Sequence, residues 1–359
     1  DTDSVTLDNR APSISGTGVT PTKPNTSSTL TCSGTFSDAD DESYTVDYAW
    51  TNGGTSLGSG ASITLDPTFV SPGDRITCTV TVTDESAEAT TASAAVTVEN
   101  TAPVISAATI TPSSGIITTT TLACSATATD ADGETPTMSY TWTNLNTATV
   151  LGTNATVTLS PTTAAPTDKI QCTATATDGY TGTASATSSV TVENQGPTVV
   201  SITITSNQTR EFNTSTLTCS GVANDPDGGT PTFSFIWSHN GTDVGTGNTL
   251  ALDTTNYAPT DSITCKATAS DVHGGSDSDN EMVTVKNRAP TVTSVTLSKN
   301  AGVLTGDTLS CSATATDADG ETPTISYIWR RARGSSVGDI STGDTVTLST
   351  ATWQPGDTV

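Results

Sequence analysis

Residues 75–84 read Arg75-Ile76-Thr77-Cys78-Thr79-Val80-Thr81-Val82-Thr83-Asp84. Apolar side chains stand at every second position, with threonines between them. A period of two puts Ile76, Cys78, Val80 and Val82 on the buried face of a strand and the threonines in solvent. Threonine suits the wet face because its β-branch fits the pleat while its hydroxyl stays hydrated. The pattern returns at Ile170, Cys172, Ala174 and Ala176, alternating with Gln171, Thr173, Thr175 and Thr177. Further strands are expected at Leu30-Thr31-Cys32, Tyr48-Ala49-Trp50, Ser62-Ile63-Thr64-Leu65 and Ala95-Val96-Thr97-Val98. Asn52-Gly53-Gly54 and Pro72-Gly73-Asp74 mark turns between them. No stretch carries a 3.6-residue period.

The strand belongs to a repeat. Asp8-Asn9-Arg10-Ala11-Pro12 recurs as Glu99-Asn100-Thr101-Ala102-Pro103, Glu193-Asn194-Gln195-Gly196-Pro197 and Lys286-Asn287-Arg288-Ala289-Pro290, and the asparagines are 91, 94 and 93 residues apart. In each period a first cysteine (Cys32, Cys124, Cys219, Cys311) precedes a tryptophan (Trp50, Trp142, Trp237, Trp329) by 18 residues. A second cysteine (Cys78, Cys172, Cys265) follows 28 to 30 residues later. Self-similarity at a fixed period marks a repeat architecture. About seven short strands per period around a Cys…Trp…Cys frame predict two packed antiparallel sheets of immunoglobulin type. The expected fold is all-β: tandem antiparallel Ig-like β-sandwich domains in an extended array. The expected divisions are 1–9, the last strand of a preceding copy; 10–100; 101–194; 195–287; and 288–359, an incomplete fourth copy.

The register implies three bridges, Cys32–Cys78, Cys124–Cys172 and Cys219–Cys265, from second strand to sixth. Closing loops of 46 to 48 residues contributes roughly 2–4 kcal/mol each, which a domain this small with few aromatics needs. Free buried thiols are the alternative; zinc has no Cys-x-x-Cys or His partner here. Pro355-Gly356-Asp357 aligns with Pro72-Gly73-Asp74. The partner of Cys311 is therefore expected just past Val359, and the chain is expected to be a segment of a longer array. Paired cysteines point to an oxidising compartment, hence an extracellular or cell-surface location.

Composition excludes several functions. The 359 residues carry 37 acidic and 12 basic side chains, a net charge of −25. With no basic patch large enough to track phosphates, that charge argues against a nucleic-acid partner. No apolar run approaches the ~18–20 residues of a membrane-spanning helix. His239 and His273 occur only in the third copy and are expected in solvent-facing loops. Ser and Asp occur everywhere and define no triad. No phosphate-binding loop opens a helix. An enzyme is not expected.

The string Thr-Asp-Ala-Asp-Gly-Glu-Thr-Pro-Thr at 129–137 and 316–324, the Asn-x-Ala-Pro junction, the Trp strand and the Pro-Gly-Asp turn resemble tandem Ig-like repeats of bacterial extracellular surface proteins. Those are loosely similar to cadherin-like and PKD-like modules. The resemblance implies surface fibres, adhesin stalks or spacers, and in some relatives calcium at domain junctions.

An Asp pair follows each first cysteine by six and eight residues: Asp38/Asp40, Asp130/Asp132, Asp225/Asp227 and Asp317/Asp319. Glu42, Glu134 and Glu321 come next in three copies. Another Asp stands six residues after each second cysteine, at Asp84, Asp178 and Asp271. In an Ig-like sandwich both loops lie at the end that receives the linker asparagine. Carboxylates and an amide oxygen would converge there, the hard ligands Ca2+ takes. The alternative is that Asp-x-Asp-Gly simply forms turns on a surface whose acidity favours solubility.

Arg330, Arg331 and Arg333 form the one basic cluster. It is either a charged edge that blocks aggregation or an interaction patch for an acidic junction of another copy. Sequons at Asn25, Asn154, Asn207, Asn213 and Asn240 and the exposed threonine faces allow attached glycans. Trp353 alone lies off the tryptophan register and is the best surface candidate. The expected function is a structural component of an extracellular fibre or filament, self-associating and calcium-stiffened at its joints. The alternative is the stalk of a cell-surface adhesin.

Overall fold

The threonine–apolar alternation forms strands throughout the chain. A computed structural model describes residues 2–359, and among these no helix occurs. The chain forms two compact units, Asp1–Asn194 and Gln195–Val359.

In the first unit, the first copy contains β1 (Ser13–Thr20), β2 (Thr29–Ser37), β3 (Tyr44–Asn52), β4 (Thr55–Ser59), β5 (Ser62–Thr64), β6 (Arg75–Asp84) and β7 (Ala89–Thr97). One sheet has the order β1-β2-β5 and the other β4-β3-β6-β7. Every pairing is antiparallel. On β6 the apolar set is buried and the threonines are partly exposed, as the alternation requires. Trp50 stands opposite Cys78 in the β3–β6 register, and Cys78 is bonded across the core to Cys32 on β2. Trp50 is fully buried. Its indole N–H donates to Gly60 O at 2.9 Å, so the ring is buried without stranding its polar atom.

The second copy repeats the plan. A four-stranded sheet holds Thr149–Gly152, Thr137–Asn144, Lys169–Thr177 and Thr183–Thr191; a three-stranded one holds Thr156–Thr158, Thr121–Ser125 and Thr109–Thr111. Cys124–Cys172 crosses between them. Trp142 is again fully buried and donates to Asn154 O at 3.0 Å.

In the second unit, the third copy sets Thr198–Ser206, Thr216–Asn224 and Thr249–Ala251 against Thr242–Thr246, Thr232–His239, Ser262–Ser270 and Ser276–Thr284, with Cys219–Cys265 across the core. The fourth copy sets Thr291–Leu297, Thr308–Thr316 and Thr345–Thr347 against the two-stranded Ile328–Arg333 and Ser336–Thr342. Cys311 is half-buried and unpaired.

Two expectations need correction. Trp353 is 5% exposed within the fourth core, alongside Leu309, Trp329 and Leu348. It occupies the register of Val70, Ala164 and Tyr257, each buried ahead of its own Pro-x-Asp turn. His239 ends a strand instead of lying in a loop. Half-buried, it meets Asp261 at 2.7 Å and packs on the Tyr257 ring at 4.9 Å. Its register is that of Asn52 and Asn144, which donate to Asp74 and Asp168 in the same way.

Candidate functional site

Each Asp-x-Asp turn is built by its own chain chemistry. The first carboxylate accepts the backbone N–H of the second Asp: Asp38 from Asp40 at 2.7 Å, Asp130 from Asp132 at 2.8 Å, Asp225 from Asp227 at 2.9 Å and Asp317 from Asp319 at 2.7 Å. This is the turn that Asp forms with backbone two residues on. It presents the second Asp to the incoming linker.

There the second Asp captures the linker backbone in all four copies. Arg10 N–H donates to Asp40 at 2.8 Å, Thr101 N–H to Asp132 at 2.6 Å and Gln195 N–H to Asp227 at 2.6 Å; Arg288 N–H donates to Asp319. The third Asp takes the linker asparagine in the first unit: Asn9 donates to Asp84 at 3.0 Å and Asn100 to Asp178 at 2.9 Å. Asp271 accepts the turn N–H groups of His273 and Gly275, both at 2.8 Å. The residues singled out for metal thus gather at the head of each copy, and many of their oxygens accept N–H donors.

The preceding copy completes the joint. In the first unit the buried Thr26 hydroxyl donates to Asp132 Oδ1 at 2.7 Å. Gly133, with φ at +90°, lies so close to Pro67 that a Cβ there would stand 3.2 Å from the proline ring. In the second unit the buried Asn213 side chain donates to Asp319 O at 2.8 Å and accepts from Arg288 Nη2 at 3.1 Å. Gly320, with φ at +84°, abuts Thr254 equally closely. The glycine of Asp-x-Asp-Gly therefore serves the joint twice: it adopts a left-handed backbone and leaves room for the neighbouring copy.

The electrostatics are uneven. Asp130 Oδ2 and Glu134 Oε2 are buried without a hydrogen-bond donor, and so are Asp38 Oδ2 and Glu42 Oε2. Burial pushes the Glu134 carboxyl above its ordinary pKa, reinforced by Asp130, Asp132 and Asp178. Asp178 lies below the ordinary range, held there by the Asn100 amide against its own burial and helped by the Tyr180 and Gly182 N–H groups. Arg10 holds Asp40 low through its side-chain and backbone bonds. Among the described residues no three His, Cys, Asp or Glu side chains are grouped as a metal site.

The arginine cluster turns to partners in its own copy. Arg330 pairs with Asp339 at 2.8 Å, Arg333 grips Asp357 through two bonds of 2.7 and 2.6 Å, and Arg331 donates to Thr352 O. The Arg333 fork draws Asp357 down to about 2, against its burial. Of the sequons, Asn213 is buried and its amide is committed to Asp319 and Tyr257.

The sequence marks Asn213 only as a sequon and does not single out Thr26 for the joint. Their common position, six residues before the first cysteine, was the available signal.

No family model matches the chain, and no curated protein matches it significantly. Among solved structures it is similar to part of a 1.5-MDa bacterial ice-binding adhesin studied for host cell surface retention. That match has 15% identity, 78% of this chain, 99% of that one and a TM-score of 0.39. A tetra-tandem repeat from the extending region of a large adhesion protein gives 16% identity, 94% and 91% coverage and a TM-score of 0.32. A Ca2+-stabilized adhesin of an Antarctic bacterium gives 18% identity, 95% and 100% coverage and a TM-score of 0.32. By its own sheet order and register this chain is an all-β tandem array of Ig-like sandwiches.

Proposed function

We propose that the chain is a load-bearing spacer outside the cell, part of the shaft of a surface fibre or the stalk of an adhesin. The observation that carries this is the joint. In each unit one copy inserts a buried side chain, Thr26 or Asn213, into the turn that also holds the next copy's linker. A loose tether would leave these groups in solvent. Three core disulfides fit an oxidising exterior and resist unfolding under load. Electron microscopy of the native material tests this. Regular filaments support a self-associating fibre, surface-bound projections support a stalk, and free dispersed protein contradicts both.

Calcium is the finer part of the proposal and concerns the first two copies. Among the described residues, the buried carboxylate oxygens that lack a donor all belong there: Asp38 and Glu42, Asp130 and Glu134. Hard oxygen ligands without donors suit Ca2+. Asp40, Asp84, Asp132 and Asp178 border these sites with part of their capacity already used. Asp225, Asp227, Asp271, Asp317 and Asp319 are the weaker ligands on this view. A bound ion would offset the burial, and the repulsion by Asp130, Asp132 and Asp178, that raise Glu134. Melting the chain with calcium and with chelator tests it. Calcium should raise the midpoint of the first unit; identical midpoints remove calcium from the account.

A further inference from the structure

The two joints that lie within a unit differ in chemistry. At the first, the linker residue after the junction asparagine is Thr101, the inserted side chain is Thr26, and two carboxylate oxygens of Asp130 and Glu134 stay without donors. At the second, the linker residue is Arg288 and the inserted side chain is Asn213. The guanidinium fills the joint: Nε donates to Asp319 Oδ1 at 2.8 Å, and Nη2 reaches Ala318 O at 2.7 Å and Asn213 Oδ1 at 3.1 Å. The Arg288 N–H takes the other Asp319 oxygen. The guanidinium also lies 5.0 Å from the centre of the Phe212 ring.

We propose that Arg288 is the resident cation of the joint between the third and fourth copies, so that this joint holds without an added metal. Three observations converge on it. The Asp319 side chain is 0% exposed and Arg288 only 25%, so the pair is largely desolvated; a buried carboxylate demands a counter-charge and well-placed donors. The fork touches both sides, Asp319 and Ala318 in one copy and Asn213 and Phe212 in the other, and so acts as a bolt as well as a counter-ion. Arg10 repeats half of the arrangement, with Nε 3.1 Å and Nη2 2.7 Å from Asp40 Oδ1 and Nη2 3.3 Å from Ala39 O. The arginine geometry therefore recurs where the linker residue is Arg.

The proposal rests on the reading of the joints as load-bearing but is independent of calcium. Hydrogen exchange of the full chain in chelator decides it. Wild-type amides at Arg288, Ala289 and 317–320 should be equally protected in chelator and in calcium. Arg288→Gln should raise their exchange by at least about tenfold, the ratio that one lost charge-assisted hydrogen bond corresponds to. Arg288→Lys keeps the charge without the fork and should fall between. Protection across Ser262–Ser270 verifies that the third sandwich remains folded in each variant. Arg288→Gln exchanging like wild type, or wild-type protection at Arg288 and Ala289 that vanishes in chelator, overturns the proposal. Failure of calcium to alter the Thr101 joint would count against the metal alone and leave the Arg288 result standing.

Discussion

Glu134 shows what burying a carboxyl beside other carboxylates costs the joint. Its raised pKa means that folding favours the protonated form. The stability linked to it is complete below the ordinary glutamate value and is lost as pH rises through the raised one. Without metal, Glu134→Gln should therefore raise the melting midpoint of the first unit at pH 7. The advantage should vanish below about pH 4, where glutamate is protonated in both folded and unfolded chains. A variant that melts like wild type at pH 7 in chelator would show that the repulsion is relieved some other way. Asp178 and Asp40 behave oppositely: held low, they stabilise above the ordinary aspartate value and lose this as pH falls. At this scale the sequence was only half legible. The Asp pairs stood out because they recur in register, but their partners did not. Whether a carboxylate meets a metal, an N–H or an arginine depends on what the facing loop presents. The groups that complete the joints, Thr26 in one and Asn213 in the other, share no side-chain type, only their place six residues before the first cysteine.

The strands were the most legible level. Strict alternation marked β6, and the constant Cys-to-Trp spacing placed β2 and β3 before any contact was known. The tryptophan stands opposite the second cysteine in each of these copies, Trp50 facing Cys78, Trp142 facing Cys172 and Trp237 facing Cys265, although their separation in sequence varies from 28 to 30 residues. Less visible was the slip of one residue directly after each tryptophan, at Trp50/Thr51, Trp142/Thr143, Trp237/Ser238 and Trp329/Arg330. A bulge adds a residue to one strand without altering the composition of either. The bridge is the element-scale feature with the clearest energetic consequence. It closes 48 residues in the second copy, whose sixth strand buries Ala174 and Ala176 where β6 buries Val80 and Val82. With smaller core side chains there, the bridge carries more of the stability. Cys124→Ala with Cys172→Ala should cost about 2–5 kcal/mol, measured by denaturant unfolding of the full chain under non-reducing conditions. A cost below about 1 kcal/mol would mean that the core alone sustains this sandwich.

For the molecule as a whole, four cores linked in series should not unfold together. Each sandwich buries its own cluster, and repeat proteins distribute stability copy by copy and joint by joint. The clusters of the first three copies are unequal: fourteen buried side chains in the second, twelve in the first and ten in the third. Hydrogen exchange should therefore find Ser262–Ser270 opening before Arg75–Asp84 and Lys169–Thr177. Raising salt should slow opening in every copy without changing that order. The net charge of −25 is a screened, chain-wide repulsion, whereas the difference between the copies is one of buried apolar contact that ions do not supply. If all four copies exchanged in one cooperative step, the joints would have to be stronger than the cores they connect. Arg288→Gln, by loosening the joint that Arg288, Asp319 and Asn213 close, should then split that step in two.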